Sequence, residues 1–177
     1  MDNDKSYKEY LADITTFIFD VDGVLTDGSI TVTTKGEMLR TMSIKDGFAL
    51  KTAVDSGFHV CVISGGSNEG VRLRLKGLGL TDIYLGVHHK IEQLNDYLDL
   101  HSIKPESVLF MGDDMPDYVA MKAVGLPCCP QDAAPEIKAI SKYISHKSGG
   151  KGAARDVIEQ VLKVQNKWNG NFDAQYD

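Results

Sequence analysis

The stretch that decides the fold is Phe17-Ile18-Phe19-Asp20-Val21-Asp22-Gly23, a short apolar run that ends in two carboxylates one residue apart. In an extended strand successive side chains alternate between faces, so Asp20 and Asp22 point the same way at the strand's end. Like charges held this close cost stability unless a cation, a hydrogen-bond donor or a shared proton compensates. A bound Mg²⁺ would compensate, because hard cations take carboxylate oxygens. A solvated acidic turn would carry the same residues, so both interpretations stay open for this stretch alone.

Outward from this stretch, apolar strand patterns alternate with helical patterns. Residues 14–19 are apolar on both faces, as a buried central strand of a parallel sheet should be. Residues 28–44 alternate around a Lys35-Gly36 turn, which predicts a β-hairpin whose two-sided apolar surface the parent domain or another subunit must cover. The later alternation predicts an α/β fold, a doubly wound (Rossmann-like) parallel sheet with helices on both faces. Predicted helices span 47–56, 68–78, 90–100, 116–123, 133–140 and 153–164, further strands span 58–63, 83–85, 108–111, 126–129 and 143–145, and residues 169–177 form a disordered tail.

Length and composition narrow the class of protein. The 177 residues fit one domain, and 42% hydrophobic with 25% charged residues is typical of soluble globular proteins. The net charge of −6 argues against a nucleic-acid partner, and no apolar run is long enough to span a membrane. Residues 1–5 are polar and acidic, unlike a secretion signal, and Cys61, Cys128 and Cys129 lack zinc or redox spacing. We therefore predict a cytoplasmic protein with reduced thiols.

Polar residues follow several predicted strands at their carboxyl ends, where open parallel sheets bind ligands. A hydroxyl beside backbone amides at a helix start is a ready anion site, and a lysine adds a positive charge. The residues concerned are Asp20 and Asp22, then Ser64, Gly65 and Gly66, then Lys90, then Asp113, Asp114 and Asp117. Singly they fit an ordinary turn, a solvated lysine or an acidic loop as well. Because all of them agree on one edge of the sheet and one chemistry, we expect a single phosphate-handling site.

The same residues carry a resemblance to a known family. Four motifs of haloacid dehalogenase-like phosphatases resemble Asp20-Val21-Asp22-Gly23-Val24-Leu25-Thr26, Ser64, Lys90 and Gly112-Asp113-Asp114-Met115-Pro116-Asp117, in that order. More narrowly, residues 22–28, Lys45-Asp46-Gly47 and Gly149-Gly150-Lys151-Gly152-Ala153 resemble 3-deoxy-D-manno-octulosonate 8-phosphate phosphatases, over about residues 12–165. The resemblance implies a capless, homotetrameric, Mg²⁺-dependent enzyme of lipopolysaccharide biosynthesis, which hydrolyses a keto-deoxy sugar-acid phosphate through an aspartyl phosphate.

The resemblance also implies roles for individual residues. Asp20 would be the nucleophile and Asp22 the general acid and base, while Ser64 and Lys90 would hold the phosphoryl group. Mg²⁺ would bind Asp20, the backbone carbonyl of Asp22, and Asp113, with Asp114 and Asp117 in the outer coordination sphere. The implied substrate-binding residues are Ser43, Ile44, Lys45, Asp46, Gly47, Lys51, Gly65, Gly66, Arg74 and Lys90. A mobile lid reaching a neighbouring subunit's site is implied for Gly149, Gly150, Lys151 and Gly152, with a plain loop as the alternative.

Gly66 departs from the family pattern, which commonly has Arg there in octulosonate phosphatases and Glu in relatives that act on nine-carbon sugar acids. The substrate therefore stays open between an eight-carbon sugar acid 8-phosphate and a nine-carbon sugar acid 9-phosphate. A receiver-like phospho-acceptor signalling domain is a further alternative, but receivers place the acidic pair and the phosphorylated aspartate on different strands. A catalytically dead structural subunit is disfavoured because every expected polar group is present.

Overall fold

A computed structural model describes residues 6–168 of the chain. Its strands are β1 (Thr16–Phe19), β2 (Thr31–Val32), β3 (Met38–Leu39), β4 (His59–Ser64), β5 (Asp82–Leu85), β6 (Val108–Met111), β7 (Leu126–Cys129) and β8 (Tyr143–Ile144). Its α-helices are α1 (Tyr7–Leu11), α2 (Ile44–Asp55), α3 (Glu69–Gly77), α4 (Lys90–His101), α5 (Tyr118–Lys122), α6 (Pro135–Ile140) and α7 (Ala153–Val164). The predicted tail at 169–177 lies outside the described residues.

Six of these strands form one parallel sheet in the order β5-β4-β1-β6-β7-β8. The chain runs outward from β1 to β5 and then crosses back to place β6 on the other side of β1. At this reversal the carboxyl ends of β1 and β6 lie side by side, and the crevice above them is where doubly wound sheets bind ligands. The predicted fold class is confirmed, and the acidic turns after β1 and β6 meet at the crevice.

The core lies on both faces of the central strand. Phe17 and Phe19 pack into one cluster and Ile18 into the other, as the two-residue period of a strand requires. Helices α1, α2, α3 and α7 contribute to the first cluster, while α4, α5 and α6 contribute to the second. All four residues of β1 are buried, which explains why an apolar run with no polar face marks this strand.

Several helix boundaries differ from the prediction for local reasons. Helix α2 begins three residues earlier than predicted, because the Ser43 hydroxyl accepts a hydrogen bond from the Asp46 amide (3.3 Å) and caps the helix. The predicted helix at 116–123 begins as a single 3₁₀ turn at Met115–Asp117 before α5. Helix α6 begins at Pro135, a residue whose ring suits the first helical position. Strands β6 and β7 and helix α7 have the predicted bounds.

The predicted hairpin is present as the short antiparallel pair β2 and β3. Its apolar side chains at Ile30, Val32, Met38 and Leu39 are between 45% and 62% exposed. Within residues 6–168, then, the chain's own domain does not cover this surface. Nor does any helix in that range have the length and apolar character needed to cross a membrane.

Candidate active site

The turn after β1 is shaped by one glycine and one acidic side chain. Asp20 extends the strand ladder, since its amide donates to the Met111 carbonyl (3.1 Å), and its Oδ1 accepts from the Val21 amide (2.6 Å). Gly23 has φ +89°, and a Cβ at this position would overlap the carboxylate of Asp113. Gly23 therefore serves both the left-handed turn and the close approach of the two acidic loops.

Lys90, the first residue of α4, joins these two loops from below. Its Nζ lies 2.8 Å from Asp20 Oδ2 and 2.6 Å from Asp117 Oδ1. Lys90 and Asp117 are both buried. Burial by itself lowers the pKa of Lys90, but the carboxylates of Asp20 and Asp117 outweigh it, so the pKa is raised above its ordinary value. The lysine is held as an ammonium at the floor of the cleft.

Three carboxylates form a cluster suited to a cation. Oxygen atoms of Asp20, Asp113 and Asp117 lie within 4.8 Å of one another. Burial, reinforced by the neighbouring carboxylates, raises the pKa of Asp113 to about 7 and that of Asp117 to about 6. A hard divalent cation prefers such oxygen ligands and would remove this repulsion, so these residues fit Mg²⁺.

Asp114 and Asp117, the two residues expected in the outer coordination sphere, have different surroundings. Asp117 belongs to the carboxylate cluster itself, and its Oδ2 also accepts from the Asp113 amide (3.1 Å). Asp114 is exposed, and its Oδ1 accepts from the Met115 amide (2.8 Å) at the start of the 3₁₀ turn. That turn buries Asp117 and leaves Asp114 exposed at the edge of the cleft, so the two residues are not equivalent.

All four predicted catalytic residues line one cleft of about 340 Å³ at the crevice. Ser64 ends β4, is buried, and accepts a hydrogen bond from the Gly66 amide (3.4 Å). A hydroxyl, the backbone amides of a loop and a buried ammonium facing one space are suited to a phosphoryl group. The predicted residues that the structure brings together here are Asp20, Asp22, Ser64, Gly65, Gly66, Lys90, Asp113 and Asp114.

Arg40 is a site residue that the sequence did not reveal. It follows β3, and its guanidinium donates to both carboxylate oxygens of Asp22, from Nε (2.9 Å) and Nη2 (3.0 Å). The carboxylate of Asp22 is therefore held apart from the acidic cluster. A hairpin separates the two residues in sequence, so no motif or spacing signals their contact.

The remaining predicted substrate-binding residues lie apart from this cleft, on α2 and α3. Asp46 is buried, and its oxygens accept from the amides of Gly152 (3.2 Å) and Arg155 (2.8 Å), which caps α7 from α2. Burial raises the pKa of Asp46, and these two hydrogen bonds oppose the rise. Asp46 is thus an anchor between helices, and the structure does not place its carboxylate in the cleft.

The other predicted substrate-binding residues of this group lie along α2 and α3. Lys51 pairs with Asp55 (2.9 Å) one turn along α2. Arg74 packs against Gly47 so closely that a Cβ on the glycine would lie 2.8 Å from Arg74 Nη2. Ser43 and Ile44 begin α2, and Lys45 lines a second cavity of about 650 Å³ next to α7.

Gly149 and Gly150, which were predicted to belong to a mobile lid, have hydrogen-bond partners within their own chain in this structure. The Gly149 amide donates to Asp132 Oδ1 (2.9 Å), and the Gly150 amide donates to the Val24 carbonyl (2.9 Å). A Cβ at either glycine would overlap the backbone of the turn that follows Asp22. These glycines pack against the chain's own acidic turn, while Gly152 begins the turn into α7.

Lys151, between them, is the exposed residue of this segment. Its Nζ lies 3.9 Å from Asp27 Oδ2, and its side chain is 66% exposed. It lines the second cavity together with Lys45 and does not line the catalytic cleft.

This fold and this cleft define the class of haloacid dehalogenase-like hydrolases. Comparison with known proteins agrees, because the family model of the haloacid dehalogenase-like hydrolases matches residues 76–156. The 3-deoxy-D-manno-octulosonate 8-phosphate phosphatase KdsC of Salmonella typhi is 36% identical over 154 residues, which are 87% of this chain and 82% of that protein. The chain therefore belongs to the 3-deoxy-D-manno-octulosonate 8-phosphate phosphatase family, and it is a phosphoric monoester hydrolase.

Solved structures of the same family have the same fold. The 3-deoxy-D-manno-octulosonate 8-phosphate phosphatase of Yersinia pestis superposes with a TM-score of 0.91 and 32% identity, over 94% of this chain and 90% of that chain. The phosphatase of Moraxella catarrhalis, in complex with a magnesium ion, a phosphate ion and a KDO molecule, superposes with a TM-score of 0.89 and 32% identity, over 92% and 94% of the two chains. The receiver-like alternative is thereby set aside.

Proposed function

We propose that this phosphatase hydrolyses 3-deoxy-D-manno-octulosonate 8-phosphate with Mg²⁺, and that Asp20 is its nucleophile. The observation that carries the proposal is the position of Asp20, which contacts Lys90 at 2.8 Å and lies in one carboxylate cluster with Asp113 and Asp117. The names of the Salmonella and Moraxella relatives support the substrate and the metal. The product would serve lipopolysaccharide biosynthesis.

The metal would be held by Asp20, Asp113 and the backbone carbonyl of Asp22. Asp117 would lie in the outer coordination sphere, because its two carboxylate oxygens contact Lys90 and the Asp113 amide. When bound, Mg²⁺ neutralises negative charge on the phosphoryl oxygens, as phosphoryl transfer requires. Lys90 adds a fixed positive charge next to the nucleophile, and it limits the repulsion between the Asp20 carboxylate and an incoming phosphate.

In the first half-reaction a carboxylate oxygen of Asp20 bonds to phosphorus and the bond from phosphorus to the sugar oxygen breaks. The electron pair leaves with the sugar oxygen, which takes a proton from Asp22. The Ser64 hydroxyl and the amides of Gly65 and Gly66 would orient the non-bridging oxygens. The result is an aspartyl phosphate on Asp20 and a free sugar alcohol.

In the second half-reaction Asp22, now a carboxylate, takes a proton from water. The hydroxide oxygen bonds to phosphorus, the bond to Asp20 breaks, and inorganic phosphate leaves. Asp22 suits both steps because its carboxylate lines the cleft but is separate from the cluster of Asp20, Asp113 and Asp117. The same side chain therefore faces the leaving oxygen and the attacking water in turn.

We further propose that the whole chain is one haloacid dehalogenase-like hydrolase domain that assembles as a homotetramer through its hairpins. The exposed apolar residues of β2 and β3 support this assembly, because such a surface is otherwise left in water. Three buried free cysteines support a reducing, cytoplasmic location.

The sugar part of the substrate has one alternative, which rests on Gly66. Gly66 carries neither the arginine common in octulosonate phosphatases nor the glutamate of their nine-carbon relatives, so a nine-carbon keto-deoxy sugar acid 9-phosphate is the second candidate substrate. The test is phosphate release with Mg²⁺ from both sugar-acid phosphates and from simple hexose phosphates. We expect the highest kcat/KM for the eight-carbon compound, and a preference for hexose phosphates would contradict the proposal.

A further inference from the structure

Arg40 binds the side chain of Asp22 in a fixed geometry. Its Nε and Nη2 donate to the two carboxylate oxygens at 2.9 and 3.0 Å, and its Nη1 donates to the Met38 carbonyl at 3.0 Å. The arginine side chain is only 10% exposed. All three guanidinium nitrogens are thus used, two toward the catalytic turn and one toward the hairpin from which the residue comes.

The arginine is itself held in place by a short chain of hydrogen bonds. The Met38 carbonyl also accepts from Asn68 Nδ2 (3.0 Å), and Asn68 Oδ1 accepts from the Val71 amide (3.0 Å) to cap α3. The hairpin is therefore fastened to the start of α3, which lies directly after the phosphoryl-binding loop. Arg40 therefore contacts Asp22 from a part of the hairpin that is hydrogen-bonded to the start of α3.

Gly66 provides the space that this pair occupies. A Cβ at Gly66 would lie 3.1 Å from Asp22 Oδ2 and 3.2 Å from Arg40 Nη2, closer than side chains normally approach. A larger residue at this position would push the guanidinium or the carboxylate aside. The glycine at position 66 therefore leaves the space in which Arg40 contacts Asp22.

A bidentate arginine determines how a carboxylate is turned. The terminal torsion of an aspartate is otherwise broad, whereas two parallel hydrogen bonds to a planar guanidinium set the plane of the carboxylate. Each carboxylate oxygen has a second lone pair, so both remain able to carry a proton while Arg40 is bound. The pair orients Asp22 without blocking proton transfer.

We propose that Arg40 is a positioning residue of this phosphatase, which holds the Asp22 carboxylate turned toward the leaving oxygen of the substrate. The inference rests on the proposed role of Asp22 as the general acid. It gives the hairpin a part in catalysis within its own chain, in addition to any part in assembly. Because Arg40 acts through Asp22, its effect depends on how much the leaving group needs a proton.

The first turnover of two substrates tests this dependence. A sugar alkoxide must be protonated as it leaves, whereas p-nitrophenolate leaves without a proton. The first-turnover rate is measured as release of the leaving group, which precedes the hydrolysis step that also uses Asp22. For Arg40→Met we expect the first-turnover rate with the sugar-acid phosphate to fall about 10-fold or more, with little change in KM. With p-nitrophenyl phosphate we expect a change within about 2-fold.

Arg40→Lys separates orientation from charge. Lysine keeps the positive charge but cannot form the two-point contact, so we expect it to resemble Arg40→Met. Full activity in Arg40→Lys would overturn the proposal. Lys163→Met is the matched control, because it removes an exposed ion pair with Glu159 on α7, and both substrates should be unaffected. Equal loss with both substrates in Arg40→Met would indicate a loosened hairpin and would also overturn the proposal.

The double variant with Asp22→Asn separates this inference from the proposed function. If Arg40 acts only through Asp22, adding Arg40→Met to Asp22→Asn should slow the first turnover of the sugar-acid phosphate no further. A further loss as large as in the single variant would show that Arg40 acts on the substrate directly, and only the positioning role would fail. If Asp22→Asn alone slows the first turnover of both substrates equally, the acid role of Asp22 is overturned, and the role of Arg40 with it.

Discussion

Lys90 Nζ lies 2.8 Å from Asp20 Oδ2 and 2.6 Å from Asp117 Oδ1, so one buried ammonium joins the acidic turns that follow β1 and β6. The lysine offsets part of the charge of the three clustered carboxylates, and a divalent cation is suited to the remainder. The site is therefore suited to a charge balance between protein and metal, with Asp20, the proposed nucleophile, in contact with the lysine.

Asp20→Asn should abolish turnover and leave no trapped phosphoenzyme, because an amide is a poor nucleophile and a weaker metal ligand. Asp22→Asn should still bind Mg²⁺, since only its backbone carbonyl is asked to ligate, but steady-state turnover should fall by about 10² or more. Phosphate release and a metal titration measure the two effects. Substantial turnover in Asp20→Asn would rule out the proposed mechanism.

Without metal, stability should fall as the pH rises from about 4 to about 7. The folded-state pKa of Asp113 is raised to about 7 by burial and its acidic neighbours, so in this range the folded protein holds a proton that the unfolded chain has lost. The slope from one such group is at most about 1.4 kcal/mol per pH unit. Melting temperatures in EDTA at several pH values measure it.

Added Mg²⁺ should restore stability most at high pH, where it replaces the proton. Asp113→Asn should remove both the pH dependence from this group and most of the response to the metal. The exposed neighbour provides the control, since Asp114→Asn should keep both. An equal gain from Mg²⁺ at pH 5 and pH 8 would argue against a cation at this cluster.

Asp46→Ala should destabilise the fold rather than weaken substrate binding. The buried carboxylate caps α7 through the amides of Gly152 and Arg155, and the loss of such a cap costs about 1–2 kcal/mol. Urea unfolding at neutral pH measures the change. Asp55→Ala removes an exposed pair with Lys51 and should cost under about 0.5 kcal/mol. Unchanged stability with a raised KM would instead return Asp46 to the substrate site.

Leu39→Asp should dissociate the proposed tetramer. The residue is 51% exposed on β3, and a charge buried there between hairpins would lack a partner. Light scattering should report smaller species, with reduced turnover of the sugar-acid phosphate. Leu100→Asp is the control, because Leu100 is 71% exposed on α4 and should leave the assembly intact. A monomeric wild-type protein would contradict the proposed assembly.

The sequence by itself determined the central strand, the parallel sheet and the location of the site. These follow from local rules: a short two-sided apolar run bounded by turn residues is typical of a buried strand, and parallel strands bring their carboxyl ends to one edge. Asp20, Ser64 and Lys90 could be assigned to one cleft for that reason, since each stands at a strand end or at the next helix start. No contact between distant side chains had to be known.

Only the tertiary structure decided where individual side chains point. Asp117 rather than Asp114 joins the cluster because a single 3₁₀ turn rotates one inward, and Asp46 turns away to cap a helix more than a hundred residues further along the chain. Arg40 reaches Asp22 because the hairpin folds back over the first turn. Such contacts form when segments that are distant in sequence pack together, so neither local periodicity nor motif spacing predicts them.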